Sequence, residues 1–385
     1  MTTESPLSIK PPQGMGRGDR LPTVFAAGFR LFFLAAGVYA VVATGLWVYA
    51  WQGGIALSPA WHGHEMIFGF AAAAIAGFLL TAVPNWTGRP SLRGMPLLGL
   101  GLVWLVGRVA MLMDTLAWLD LLFLPVLAIV VGRDIVSARN SRNYGVLFIV
   151  LALAGLNLLF HVGDELTVLW AATFLIVALI ALIGGRIVPA FTQNALRASG
   201  ETKAVCSTPP LVQRLAVPSV VVVVAAQILL PETHVAGVAA LVAAAILGFG
   251  MTGWRSWATR RMPIVWILHA GYVWVPIGLF LVALADLTGV IQPTRALHAL
   301  TANAIGIMVL AVASRAALGH SGRPLRVGRA TVVAYVLVIA GGLLRVVGPA
   351  ETIVAAGLLW AAGYAVFTAA YWPVLTRPRV DGLPG

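Results

Sequence analysis

The chain has one cysteine, Cys206, among 385 residues, and only 10% of its residues are charged. A single thiol excludes internal disulfides, multi-cysteine zinc sites and the C-x-x-C-H attachment of c-type haem. A soluble domain carries about 25% charged residues, so the shortage of charge argues against one. Acidic residues are scarcest: 13 Asp and Glu stand against 25 Lys and Arg, for a formal net charge of +12. In a soluble chain that balance would suggest nucleic acid. Here no basic tail or aromatic-interleaved patch supports it, so nucleic acid is not an expected partner. No Ser-His-Asp, H-E-x-x-H, Walker or dinucleotide pattern occurs either.

What the chain has is apolar length. Hydrophobic residues make up 60% of it, with a mean hydropathy of +0.94. The expected fold is all-α: a polytopic membrane protein of about twelve transmembrane helices in contact with lipid. Candidate spans are 24–50, 62–83, 95–113, 116–132, 144–160, 165–190, 215–230, 234–252, 263–285, 295–317, 328–347 and 351–374. Residues 1–21 read as a disordered cytoplasmic tail, 22–376 as a single transmembrane domain and 377–385 as a second tail. A loop at about 191–214 separates two six-helix halves. The first apolar run is too long for a signal-peptide core and is expected to be retained as a span.

Charge placement orients the chain. All but four of the 25 Lys and Arg residues fall in the N-terminal tail, the even-to-odd connections and the C-terminal tail. The opposite connections hold Asp114, Asp164, Glu165, Glu232, Asp286 and Glu351. By the positive-inside rule both termini are expected to be cytoplasmic.

Three of the seven histidines share one spacing. His64, His161 and His298 each precede a Gly-Arg pair by the same interval, 88 − 64 = 185 − 161 = 322 − 298 = 24. That many helical residues rise about 36 Å, enough to cross a bilayer. The spacing predicts histidines at the outer ends of the second, sixth and tenth helices, in a pseudo-threefold arrangement of four-helix units. The competing reading is a coincidence of regular helix lengths.

Neutral imidazole is the commonest protein ligand for metals. If the second and tenth helices are neighbours, His64 and His298 reach one haem iron from opposite faces, leaving His161 for copper or a second iron. Any haem would be held non-covalently, as b-type. His62 lies about 200° around the helix from His64, so one is expected to ligate and the other to support it or face the surface. Glu65 is placed to orient an imidazole, shuttle a proton or cap the helix. His269, six residues after Pro263, is either a second metal ligand, part of a proton path, or a buried neutral histidine. Arg108 and Arg345, at the level of His64 and His298, pair either with haem propionates or with Asp114, Asp120 and the headgroups. Arg30 has Asp19 or backbone carbonyls within reach. His234 and His320 read as surface residues.

The run Trp61-His62-Gly63-His64-Glu65-Met66-Ile67-Phe68-Gly69-Phe70, continuing to Pro84-Asn85-Trp86-Thr87-Gly88-Arg89-Pro90, strongly resembles the NnrS family. So do Arg30 with Phe32-Phe33, Gly107-Arg108, Gly185-Arg186 with Pro189, Phe191, Thr192 and Asn194, and His269-Ala270-Gly271-Tyr272. The segment from His298 through Gly306 and Arg315 to Gly319-His320 and Gly322-Arg323-Pro324 completes the match. One residue departs: Gly63 stands where the family usually has alanine. The resemblance implies a bacterial inner-membrane protein containing haem and copper. It also implies a link to nitric oxide, nitrosative stress and denitrification, with the molecular activity open between enzyme and binder.

A fold-level analogy leads to haem-copper oxidases and NO reductases, which also carry histidine ligands on the second, sixth and tenth of twelve helices. This chain lacks their adjacent His-His pair on the seventh helix, so the analogy assigns no catalysis. Two other readings stand beside an NO-processing oxidoreductase. One is a non-catalytic NO sensor or scaffold docking through 191–214. The other is a metal or metal-complex transporter. The sequence names no electron donor.

Overall fold

Long apolar runs interrupted by proline and glycine fold in the computed structural model as helices, which account for 82% of the described residues. The structure describes residues 21–231 and 233–383, and no strand occurs among them. The expected tail 1–21 lies almost wholly outside the described residues, as does Glu232.

In chain order the helices are α1 Gly28–Trp51, α2 Pro59–Thr87, α3 Met95–Ala110, α4 Thr115–Ser137, α5 Ser141–Val162 and α6 Glu165–Ala198. They continue as α7 Pro210–Leu229, α8 Val235–Trp254, α9 Pro263–Thr288, α10 Pro293–His320, α11 Arg329–Val347 and α12 Ala350–Thr376. Eleven are long and apolar enough to cross a membrane; α3, at 16 residues, is shorter. The chain is a polytopic membrane protein.

Proline opens α2, α7, α9 and α10 within the first turn, where its missing N–H costs nothing and its fixed φ favours the helix. Gly88 closes α2 in the left-handed region at φ 69°, and Gly322 takes φ +72° two residues after α10 ends. A left-handed stop favours glycine because it has no Cβ.

The middle unit of the expected threefold repeat does not follow this pattern. His161 lies in the last turn of α5, before Gly163 ends that helix, and not at the start of α6. Gly185-Arg186 sits inside α6, which runs through Pro189 to Ala198, a length of 34 residues. The α6–α7 connection therefore begins at Ser199 instead of near 191. The repeat is twofold, relating α2 to α10.

That twofold repeat extends to the backbone. Pro59 and Pro293 each stand five residues before a histidine, 64 − 59 = 298 − 293 = 5. In each case a six-residue α segment leads directly into a seven-residue π turn, Glu65–Ala71 in α2 and Ala299–Ile305 in α10. Wide turns of this kind are rare and concentrate at functional sites. Each has an indole lodged on one carbonyl: Trp104 Nε1 donates to Gly69 O and Trp360 Nε1 donates to Ala302 O, both at 3.0 Å.

The helices with the most buried faces are α2, α6, α9 and α10, and the start of α1 meets the end of α12. The guanidinium of Arg30, fully buried on α1, donates to the carbonyls of Val374 and Leu375 at 3.2 Å and Arg377 at 2.8 Å. These are orphan carbonyls at the end of α12, which a buried cation satisfies well. Backbone carbonyls are thus partners of Arg30, as one of the two sequence readings has it.

Candidate metal centre

His62 and His64 diverge as their two-residue spacing requires, and each meets a different histidine. The His64 ring lies 5.8 Å from that of His161 on α5, at 70°. The His62 ring lies 6.5 Å from that of His298 on α10, with the planes within 15°. The structure therefore does not bring His64 and His298 together. It builds two sites from the four residues.

The first site is a buried polar cluster among α2, the 3-10 opening of α4, and α5. His64 is fully buried, and its Nδ1 lies 2.8 Å from Glu65 Oε1. A carboxylate accepts, so Nδ1 carries the proton, and in the neutral imidazole Nε2 keeps its lone pair. That lone pair faces Asp120 Oδ2 at 3.1 Å and Asn157 Oδ1 at 3.0 Å. The Asn157 amide is not free to turn round, since its Nδ2 donates to Asp120 Oδ2 at 2.6 Å. Three acceptors thus converge. His161 Nε2, 3.9 Å from Asp120 Oδ2, is buried with no hydrogen-bond partner among the described residues. His64, Asp120 and His161 offer ligand atoms all within 4.8 Å of one another.

Arg108 supports this cluster from α3. It donates to Glu65 Oε1 at 2.5 Å and pairs with Asp120. Of the partners open to Arg108 in the sequence, the structure takes Asp120, and it adds Glu65, which the sequence reading did not pair with it. Tyr39 on α1 also donates to Glu65. With neutral imidazoles, two carboxylates and one guanidinium leave a formal charge of −1 in a buried space. Such a charge is expensive unless something compensates it. The donor set suits a metal ion: two imidazoles and a carboxylate, with Glu65 holding His64 in the ligating tautomer as outer carboxylates do at metal sites.

The second site is aromatic, and no acid among the described residues forms an ion pair with its histidines. Trp47 on α1 stacks on His62, centroids 4.7 Å apart at 12°. His298 Nδ1 donates to Thr294 O at 2.6 Å, leaving the Nε2 lone pair available, and His62 Nδ1 is buried without a hydrogen-bond partner among the described residues. Arg345 on α11 is within electrostatic reach of both rings, and Arg295 donates to Val346 O at 3.1 Å. A metal bound at about 2 Å to a nitrogen of each ring fits this ring separation. The two imidazoles beside the Arg345 cation also suit an anionic macrocycle such as haem.

His269 stands apart on α9. Its Nε2 meets Thr192 Oγ1 at 2.8 Å and its Nδ1 meets Ser256 Oγ at 2.9 Å. Both nitrogens are engaged by hydroxyls, with no second metal-ligating side chain beside them in any described cluster.

Sequence reasoning did not single out Asp120 as a ligand, nor Asn157, Tyr39 and Trp47 as neighbours of the sites. The available signal was Asp120 itself, an ionisable residue within an apolar span, which is costly there and marks function by default.

These features define a class: a polytopic helical membrane protein with a histidine–carboxylate cluster buried among its helix ends. Residues 23–379 match the family model described as NnrS protein. The chain therefore belongs to the NnrS family and is a membrane protein of the nitric-oxide response. Comparison with curated proteins gives no match.

Proposed function

We propose that the protein is a haem- and copper-containing protein of the bacterial inner membrane, both termini cytoplasmic, that binds or processes nitric oxide under nitrosative stress and in denitrifying cells. The observation that carries this reading is the arrangement at His64, where a neutral imidazole bonded through Nδ1 to Glu65 turns its Nε2 lone pair toward two acceptor oxygens. A cation there relieves the conflict and balances the excess negative charge.

His64, Asp120 and His161 would hold copper, and His62 and His298 would hold b-type haem, with Arg345 compensating a propionate. Bound there, these groups would supply a coordination site for NO and a one-electron couple. The chain's own residues do the rest. Glu65 fixes the His64 tautomer, and Arg108 holds Glu65 and Asp120 in place. Tyr39, half-buried and hydrogen-bonded to Glu65, gives that carboxylate a proton partner on the side away from His64. The apolar helices exclude water and ions while admitting a small uncharged gas.

A second reading is favoured by the same geometry. A proton shared between His64 and Asp120 would also satisfy the acceptors, and the protein would then be a metal-free NO-response scaffold. Metal analysis and an optical spectrum of the purified wild-type protein separate the two. The expected result is bound copper and a reduced-minus-oxidised b-type signal that shifts with NO. His62→Ala or His298→Ala removes the haem signal, and His161→Ala removes copper with the haem signal retained. Metal-free wild-type protein of unchanged thermal stability would overturn the proposal.

A further inference from the structure

On the arginine-bearing face of the bundle, away from both histidine sites, a cavity of about 240 Å³ opens among α5, α6, α7, α8 and α9. Arg142, from the first turn of α5, and Arg186, from α6, both line it. They lie within electrostatic reach of each other. No carboxylate among the described residues is within ion-pair distance of either. Two like charges thus share one cavity with nothing of opposite sign to balance them. The first turn of α7 adds to the field: Val212 and Gln213 line the same space, and a 20-residue helix presents the positive end of its dipole there.

The remaining wall is of two kinds. Ala181, Leu182, Ala216, Val217 and Leu247 make one side apolar, while Tyr272, buried on α9, contributes a phenol near the arginines. A small soluble anion has no use for the apolar side. An amphiphile uses both, with its charged group at the arginines and its chain along α6 and α7. Basic pockets between membrane helices recognise anionic headgroups in this way.

We infer that this cavity is a binding site for an anionic phospholipid, its phosphate held by Arg142 and Arg186. The site is separate from the metal centres and stands or falls independently of them. It ties the start of α5 to α6 and α7 across a region where Gly185 and Gly250 leave the wall thin. A bound lipid therefore supports the middle helices of the bundle.

The test uses purified full-length protein in neutral detergent, probed by native mass spectrometry with phosphatidylglycerol or phosphatidylcholine of the same acyl chains. Each arginine near a headgroup contributes about a fivefold preference for the anionic lipid. Phosphatidylglycerol should therefore be retained well above phosphatidylcholine. Arg142→Gln/Arg186→Gln should bring the two lipids level, and Arg133→Gln, an exposed arginine beside Asp134, should change nothing. A parallel measurement on the wild type needs no variant: phosphatidylglycerol should raise the thermal midpoint and phosphatidylcholine should not. Equal retention of both lipids, or an unaltered preference in the folded double variant, would overturn the inference. Displacement of the lipid by excess inorganic phosphate would overturn it too, in favour of a soluble anion.

Discussion

His62 and His64 sit two residues apart on one helix and serve different neighbourhoods, His62 facing His298 and His64 facing His161. Their division of labour makes the two sites separable by single substitutions.

Glu65→Gln keeps the shape of the side chain and removes its charge. Without a carboxylate on Nδ1, His64 loses its fixed tautomer, and copper affinity should fall about 10–100-fold. The spectrum assigned to His62 and His298 should be unchanged. Competition with a chromophoric copper chelator reads the first effect, and optical difference spectra read the second.

Arg108→Met leaves Glu65 and Asp120 as buried carboxylates facing each other without their cation. Removing one partner of a buried ion pair costs about 3–5 kcal/mol, and denaturant or thermal unfolding in detergent should show a loss of that order. Arg108→Met combined with Asp120→Asn should recover part of it, because one unpaired charge is then gone. A double variant no more stable than the single one would show that Asp120 is not what Arg108 compensates.

Trp104→Phe removes the indole N–H from the Gly69 carbonyl in the α2 π turn. A buried acceptor left unsatisfied costs about 1–3 kcal/mol, and the melting temperature should drop accordingly. The disturbance sits four residues from Glu65, so copper affinity should weaken as well. A destabilised variant with wild-type copper affinity would mean that the wide turn does not set the ligand geometry.

His269→Ala should leave copper and haem content at wild-type levels. The loss should appear in stability alone, about 1 kcal/mol for each hydrogen bond lost to Thr192 and Ser256, since the Thr192 hydroxyl keeps Val188 O as its acceptor. Metal analysis beside thermal unfolding checks both halves. A fall in metal content in stably folded protein would restore His269 as a ligand.

Cys206 tests the connection between α6 and α7. Burial raises the thiol above its ordinary pKa, with Arg255 opposing and Glu201 reinforcing. A raised thiol holds its proton at neutral pH, and only the thiolate is nucleophilic. Alkylation of the native protein should therefore be slower than that of the unfolded chain at pH 7–8 and should accelerate as pH rises. Intact-mass kinetics with iodoacetamide measure it.

The helical bundle was legible from hydropathy because each span must satisfy its backbone internally and present apolar side chains to lipid. Eleven long helices and the short α3 correspond to the twelve expected runs. The boundary at Pro189 was not legible, because proline can lie within a membrane helix when neighbours accommodate the freed carbonyl.

The threefold reading of the histidines illustrates a different limit. A 24-residue interval counts residues without knowing which lie on a helix, so it treated His161, at the end of α5, like His64 and His298 near the starts of theirs. The prolines carry the better signal. Pro59 and Pro293 stand at matched positions, whereas Leu156 occupies the corresponding place before His161. The cluster around His64 was half visible. Glu65 and Arg108 advertise themselves as charges in apolar runs. The role of Asp120 depends on how the 3-10 turns before Phe123 aim it, and no local pattern in the sequence encodes that.

The wide turns in α2 and α10 have a geometric effect on everything upstream of them. Each π turn accommodates about one residue more than an α turn, and one residue is worth about 100° of rotation. The six residues from Pro59 to His64, and from Pro293 to His298, are thereby swung round relative to the lower shafts on which they stand. Deleting a single residue from either stretch would turn these short heads back into line, carrying His62, His64 or His298 to another side of the shaft while the lipid-facing stripe below stayed put. Orientation of the imidazoles and seating of the helix in the bilayer are in this way adjustable one without the other.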